Sequence, residues 1–258
     1  MNRVPVVAGN WKMYKTTAEA VPFVKELVAK MSKLRRCEII VAPSFVHLQA
    51  VGEAIKGSNI KLSAQNISEK DEGALTGEVS APMLSDVGCS HVIIGHSERR
   101  QIFGETDETI NKKLLKALEH NLKPILCVGE TLDEREGGQT FQVVEKQLLN
   151  GLSGLDDAAF ENILVAYEPV WAIGTGKTAT PDQAQEVHER IRRLMREKYG
   201  PAVGSALRIL YGGSVKPDNI AGLITLEDLD GALIGGACLE ADSFTSIAFS
   251  VEEECANI

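Results

Sequence analysis

Residues 162–199 read NILVAYEPVWAIGTGKTATPDQAQEVHERIRRLMREKY and contain one complete unit of the fold. An apolar run, Ile163 to Tyr167, ends in a carboxylate, Glu168. Such a run has no polar alternation, so it reads as a strand covered on both faces, as parallel strands are. A proline and a glycine–threonine loop follow. Thr180 then offers an N-cap, Pro181 suits the first helical position, and Gln183 closes a capping box for a helix over 181–199. Strand, loop and helix thus follow one another within 38 residues.

The same unit recurs along the chain. Near-continuous apolar runs stand at 4–9, 38–43, 60–65, 91–95, 123–128, 207–212 and 230–235, with amphipathic helical stretches between them. The first such stretch, 17–33, places Ala20, Phe23, Val24, Leu27, Val28 and Met31 on one face, behind a Thr16–Glu19 capping box. Eight strand–helix units with no linker or charge block predict one domain, residues 1–258, folded as a (β/α)8 barrel. A doubly wound open sheet is the competitor. It would normally carry GxGxxG after its first strand, and GNWK at 9–12 is not that.

Composition narrows the function. The chain has 258 residues and a net charge of -9, which argues against nucleic acid or an anionic membrane as a general partner. Five scattered cysteines without a CxxC predict reduced thiols and a cytoplasmic setting. The histidines form no i, i+4 ligand pair, so no metal is expected.

The chemistry-bearing residues fall at the C-terminal ends of the strands, which converge on one rim in a barrel. Asn10 and Lys12 follow the first run, His96 to Arg99 the fourth and Glu168 the sixth. Gly212-Gly213-Ser214 follow the seventh, and Gly235-Gly236 the eighth. Each has a plain structural reading. Glu168 could bond a helix N-terminus, His96 could be a turn histidine, Lys12 a solvated lysine, and the glycines tight turns. Placed together, they read as a base in a dry pocket, a neutral imidazole facing backbone N–H groups, and paired glycine turns that let an anion approach the backbone. GTGKT at 174–178 lacks the spacing of a nucleotide-binding P-loop. Cys127 reads as a buried packing thiol, and TLDERE (131–136) as a solvated helix start.

AGNWKM, AQN, GALTGEVS, GHSERR, CVGETLDERE, AYEPVWAIGTGKTAT, YGGSV and GALIGGA occur in this order over essentially the whole chain. In these motifs the sequence resembles the triosephosphate isomerase family. The resemblance implies interconversion of dihydroxyacetone phosphate and D-glyceraldehyde 3-phosphate through an enediolate, in glycolysis and gluconeogenesis, without a cofactor. It implies Glu168 as base, His96 as electrophile, Lys12 as the cation beside the substrate, and Asn10 as their positioner. Glu98 would support the lysine, and Cys127 would pack beneath the base. Gly174, Ser214, Leu233, Gly235 and Gly236 would contact phosphate under a lid over 169–179, with Tyr211 latching near Ala179. It also implies a homodimer in which the arm 73–80 carries Thr76 and Glu78 toward a partner's Met13, Tyr14 and Arg99. Tyr14 stands where the family often has asparagine.

Two rivals remain at this level. A Schiff-base aldolase needs a lysine inside a strand, and Lys61 and Lys123 lie at N-terminal strand ends. A non-catalytic phosphate-binding barrel would keep the glycine turns but would not need Glu168 and His96 together.

Overall fold

The computed structural model describes residues 3–173 and 178–255. Among these residues, eight parallel strands close into a barrel in chain order. They are β1 (Val6–Asn10), β2 (Glu38–Ala42), β3 (Ile60–Ala64), β4 (His91–Ile94), β5 (Lys123–Val128), β6 (Leu164–Tyr167), β7 (Arg208–Tyr211) and β8 (Gly231–Ile234). The pairing of β1 with β8, from Val6↔Gly231 to Gly9↔Ile234, removes both sheet edges and excludes the open doubly wound sheet.

Around them, in chain order, lie α1 (Thr17–Met31), α2 (Leu48–Ile55), α3 (Ala81–Asp86), α4 (Ser97–Gln101) and α5 (Asp107–Glu119). There follow α6 (Leu132–Glu136), α7 (Thr140–Gly151), α8 (Pro181–Ala206), α9 (Ile220–Ile224) and α10 (Ala241–Glu254).

Two layers of core explain why the strands lack polar alternation. Val6, Ala8, Ile40, Ala42, Ile93, Ile125, Leu164 and Leu210 fill the barrel interior. Their chain neighbours Val7, Ile39, Val41, Val92, Ile94 and Ile209 pack outward against the helices. Helix α1 contributes Ala20, Val24, Leu27 and Met31 to that outer layer, behind a capping box made by Thr16 and Glu19. Burying a side chain such as Leu27 is worth about 1.5–3 kcal/mol.

The sixth unit forms as read, with small changes at its ends. Asn162 belongs to a 3-10 turn, so β6 begins at Leu164. Thr180 accepts the Gln183 N–H and caps α8, and the helix bends at Gly200, where φ is 90°. Inside α8 lies a residue that its pattern does not announce. Arg192 is buried, with Nε on Asp228 at 2.5 Å, Nη2 on Asp230 at 2.7 Å, and Nη1 on the Gly204 and Leu207 carbonyls. This guanidinium ties the outer helix to the chain entering β7 and β8.

Candidate active site

At the tip of β1 the backbone turns sharply, and Lys12 takes φ 51°, a left-handed conformation uncommon for a residue with a side chain. Such strain costs on the order of 1–3 kcal/mol and persists only where its surroundings enforce it. Here the Asn10 side-chain oxygen accepts the Lys12 N–H at 3.0 Å, and Gln65 donates to the Lys12 carbonyl at 2.8 Å. The ammonium of Lys12 then meets the Glu98 carboxylate at 2.6 Å.

His96 leaves β4 as the N-cap of the short helix α4. Its Nδ1 accepts the Glu98 N–H at 3.2 Å. By this hydrogen-bond assignment Nδ1 is a bare lone pair and the single ring proton sits on Nε2. That nitrogen is 2.9 Å from Glu168 Oε1. The other carboxylate oxygen of Glu168 accepts the Ser97 N–H at 2.9 Å.

Glu168 follows β6, and its own N–H still donates to Val128 O at 2.8 Å. This bond extends the β5–β6 ladder one residue beyond the Val128↔Tyr167 pair, so the carboxylate starts from a fixed backbone.

Both groups are almost fully buried, Glu168 2 % and His96 6 % exposed. Burial alone would raise the Glu168 pKa, but the adjacent His96 ring, the hydrogen bonds from His96 and Ser97, and Lys12 together hold it below its ordinary value. For His96, burial works against a second proton and the Glu168 carboxylate works for it. The carboxylate prevails, and the ring's pKa is raised. This differs from the simple expectation of a ring kept neutral by helix N–H groups. The neutral form depends on the one N–H at Nδ1, while the carboxylate opposes it for as long as it rests against the ring.

Beside this pair lies a cavity of about 480 Å³, lined by Asn10, Lys12, His96 and Glu168. Gly212, Gly213, Ser214, Leu233, Gly235 and Gly236 line the same cavity, so the structure brings these sequence-derived residues to one site. Gly212 is required for room: a Cβ there would lie 2.8 Å from Glu168 Cγ. Gly174 lies outside the described residues, as do 175–177 of the expected lid.

Cys127 is fully buried on the inner face of β5, and burial pushes its thiol far up, which fits packing beside Glu168 rather than nucleophilic attack. Burial likewise pushes the Tyr211 phenol up to about 12. The Ala179 backbone beside its hydroxyl works against that rise. Met13 and Tyr14 are exposed, as are Thr76 and Glu78 on the arm. Within this chain Arg99 pairs with Glu105 at 2.5 Å rather than with Glu78.

Some contributors escaped the sequence reading. Gln65 stands in the AQN motif just past β3, and its position at a strand tip was the available signal. Ser97 acts through its backbone, which no residue type advertises. Glu130 is wholly buried, taking the Tyr167 hydroxyl, the Trp171 indole N–H and the Arg135 guanidinium on one oxygen.

A closed parallel barrel with a carboxylate, an imidazole and an ammonium above paired glycine turns defines a (β/α)8-barrel enzyme suited to proton transfer on a small anion. A family profile described as Triosephosphate isomerase matches residues 5–251. The chain is 56% identical over 245 residues to the triosephosphate isomerase of Geotalea uraniireducens (strain Rf4), covering 95% of this chain and 98% of that one. The same figures hold for those of Endomicrobium trichonymphae and Carboxydothermus hydrogenoformans (strain ATCC BAA-161 / DSM 6008 / Z-2901). The chain belongs to the triosephosphate isomerase family.

Proposed function

We infer that this chain interconverts dihydroxyacetone phosphate and D-glyceraldehyde 3-phosphate, with Glu168 as the base that carries the proton between the two carbons. The observation that carries the reading is the convergence of Glu168 and His96 Nε2, 2.9 Å apart, on one cavity with Lys12 and the glycine turns. A carboxylate of ordinary pKa, about 4.3, is a weak base for a carbon acid. The charge that develops on the substrate oxygen therefore has to be met as it forms by fixed donors, which supply much of the rate. His96 Nε2–H and the Lys12 ammonium are those donors.

In this structure Glu168 rests on Ser97 N–H and His96. Substrate entering the cavity gives His96 Nε2–H a carbonyl oxygen instead, and the carboxylate turns from the ring toward the C–H bond. It removes a proton from the hydroxymethylene carbon and returns it to the former carbonyl carbon, while a hydroxyl proton moves between the two oxygens. The phosphate end lies by Gly212, Gly213, Ser214, Gly235 and Gly236, where backbone without Cβ leaves room for an anion. Tyr211 and Ala179, at the far side of the 169–179 loop, suit a latch that shuts water out of the site. A coupled assay with dihydroxyacetone phosphate tests the activity; absence of isomerisation by the folded protein overturns it.

The reading includes a homodimer. Met13 is 92% exposed, Val46 80%, Ile102 73% and Phe103 66%, an apolar surface unusual for a free monomer. A groove lined by Lys12, Met13, Gln65, His96, Arg99 and Phe103 opens there and would receive the 73–80 arm of a second copy, with Thr76 approaching Lys12 and Glu78 approaching Arg99. Sedimentation of the wild-type protein as a monomer at micromolar concentration would refute it. A cytoplasmic location fits a substrate made and used there. Among the described residues no helix is long and apolar enough to cross a membrane.

A further inference from the structure

The backbone behind Glu168 is held from outside the barrel. Gly129, the first residue past β5, packs against the base so closely that a Cβ there would lie 1.8 Å from Glu168 O and 2.6 Å from its carbonyl carbon. On either side, Glu168 N donates to Val128 O at 2.8 Å and Val170 N to Glu130 O at 3.1 Å. Residues 128–130 are thus the template on which the base and the start of the following loop are laid. The template's central residue is secured by one side chain. Gly129 N–H donates to Gln147 Oε1 at 2.7 Å, and Gln147 Nε2 donates back to Gly129 O at 3.1 Å. Gly129 packs closely on Glu168 on one side, but it also lines a cavity of about 170 Å³ together with Ser97, Arg100, Gln147 and Glu168, so packing alone does not enclose it.

We propose that Gln147, on α7, is a positioning residue for the catalytic base: its two-point amide clamp on Gly129 fixes the Glu168 backbone while the carboxylate turns between His96 and substrate. The inference rests on Glu168 being the base. Gln147 does not face the cavity that holds Lys12 and the glycine turns, so it acts on the base and not on substrate affinity.

The test compares Gln147→Leu and Gln147→Glu with wild type in the full chain, reading kcat, KM for dihydroxyacetone phosphate and inhibition by inorganic phosphate. A misplacement of about 1 Å at a reacting group can cost on the order of 10²-fold, and a partial loosening a fraction of that. Gln147→Leu is expected to lose roughly 10- to 30-fold in kcat, with KM and the phosphate inhibition constant within about twofold. Gln147→Glu keeps the acceptor for Gly129 N–H but donates to Gly129 O only when protonated. Its kcat relative to wild type should therefore recover as pH falls, which a merely structural role would not produce.

A kcat for Gln147→Leu within twofold of wild type overturns the proposal, as does a rise in KM and phosphate inhibition constant in step with the loss. If Gln147→Leu does not fold, the pH dependence of Gln147→Glu decides alone, and a flat ratio overturns it. Should Glu168→Gln keep normal turnover, the base assignment falls and this inference with it. Normal turnover in Gln147→Leu alone removes only the clamp.

Discussion

Gly212→Ala adds one methyl group next to Glu168, the proposed base. The new Cβ would stand 2.8 Å from Glu168 Cγ and 3.2 Å from Tyr167 O. Carbon atoms in ordinary contact sit about 3.5–4.0 Å apart, so the Glu168 side chain has to yield by roughly 0.7 Å. Gly212 is not among the positive-φ glycines, so alanine adds no backbone strain there and the effect is confined to the push. With a misplacement of about 1 Å costing on the order of 10²-fold, the expected loss in kcat is roughly tenfold, with little change in KM. Steady-state kinetics in the coupled assay give both constants, and a thermal melt checks that the barrel is intact. A folded variant with kcat within twofold of wild type would show that the base tolerates displacement at Cγ, and the reasoning would fail.

Glu168→Gln should lose at least about 10²-fold in kcat while still binding inorganic phosphate, since a positioned base is worth that much; near-normal turnover contradicts the assignment. His96→Gln should move the acid limb of the kcat/KM profile upward. His96 opposes the burial that would raise the Glu168 pKa, so in wild type the carboxylate stays ionised to lower pH than an ordinary glutamate, whereas without the ring burial raises that threshold. An acid limb that does not move would count against the pairing. Arg192→Met leaves the Asp228 carboxylate buried without its cation, while Asp230 keeps Arg3, and urea unfolding at fixed protein concentration should show a loss of about 3–5 kcal/mol. A change under about 1 kcal/mol, on the order of a surface ion pair, would mean that the network does not hold α8 to the barrel.

Much of this protein was readable along the chain. The eight apolar runs and the helices between them follow from local periodicity, and capping signals such as Thr16–Glu19 and Thr180–Gln183 act over three residues. The candidate rim residues were also legible, because a parallel barrel sends every strand's C-terminal end to the same side. That rule places Asn10, Lys12, His96 and Glu168 near one another without coordinates. It does not say which atoms meet.

Only the tertiary structure decided those contacts, since they depend on the register of strands distant in sequence. The pairing of β4 with β5 and of β5 with β6 sets Glu168 against His96 and Ser97 N–H. That contact works against the simple expectation for the imidazole, because the carboxylate's field acts over a few ångströms of space and not over sequence. Gln147 looks like any polar position on an amphipathic helix, and Arg192 like a solvated arginine. Their partners, Gly129 and the Asp228–Asp230 pair, lie 18 to 38 residues away. Periodicity records which face of an element is buried, whereas a hydrogen bond between elements needs the angle and distance that closure of the barrel supplies.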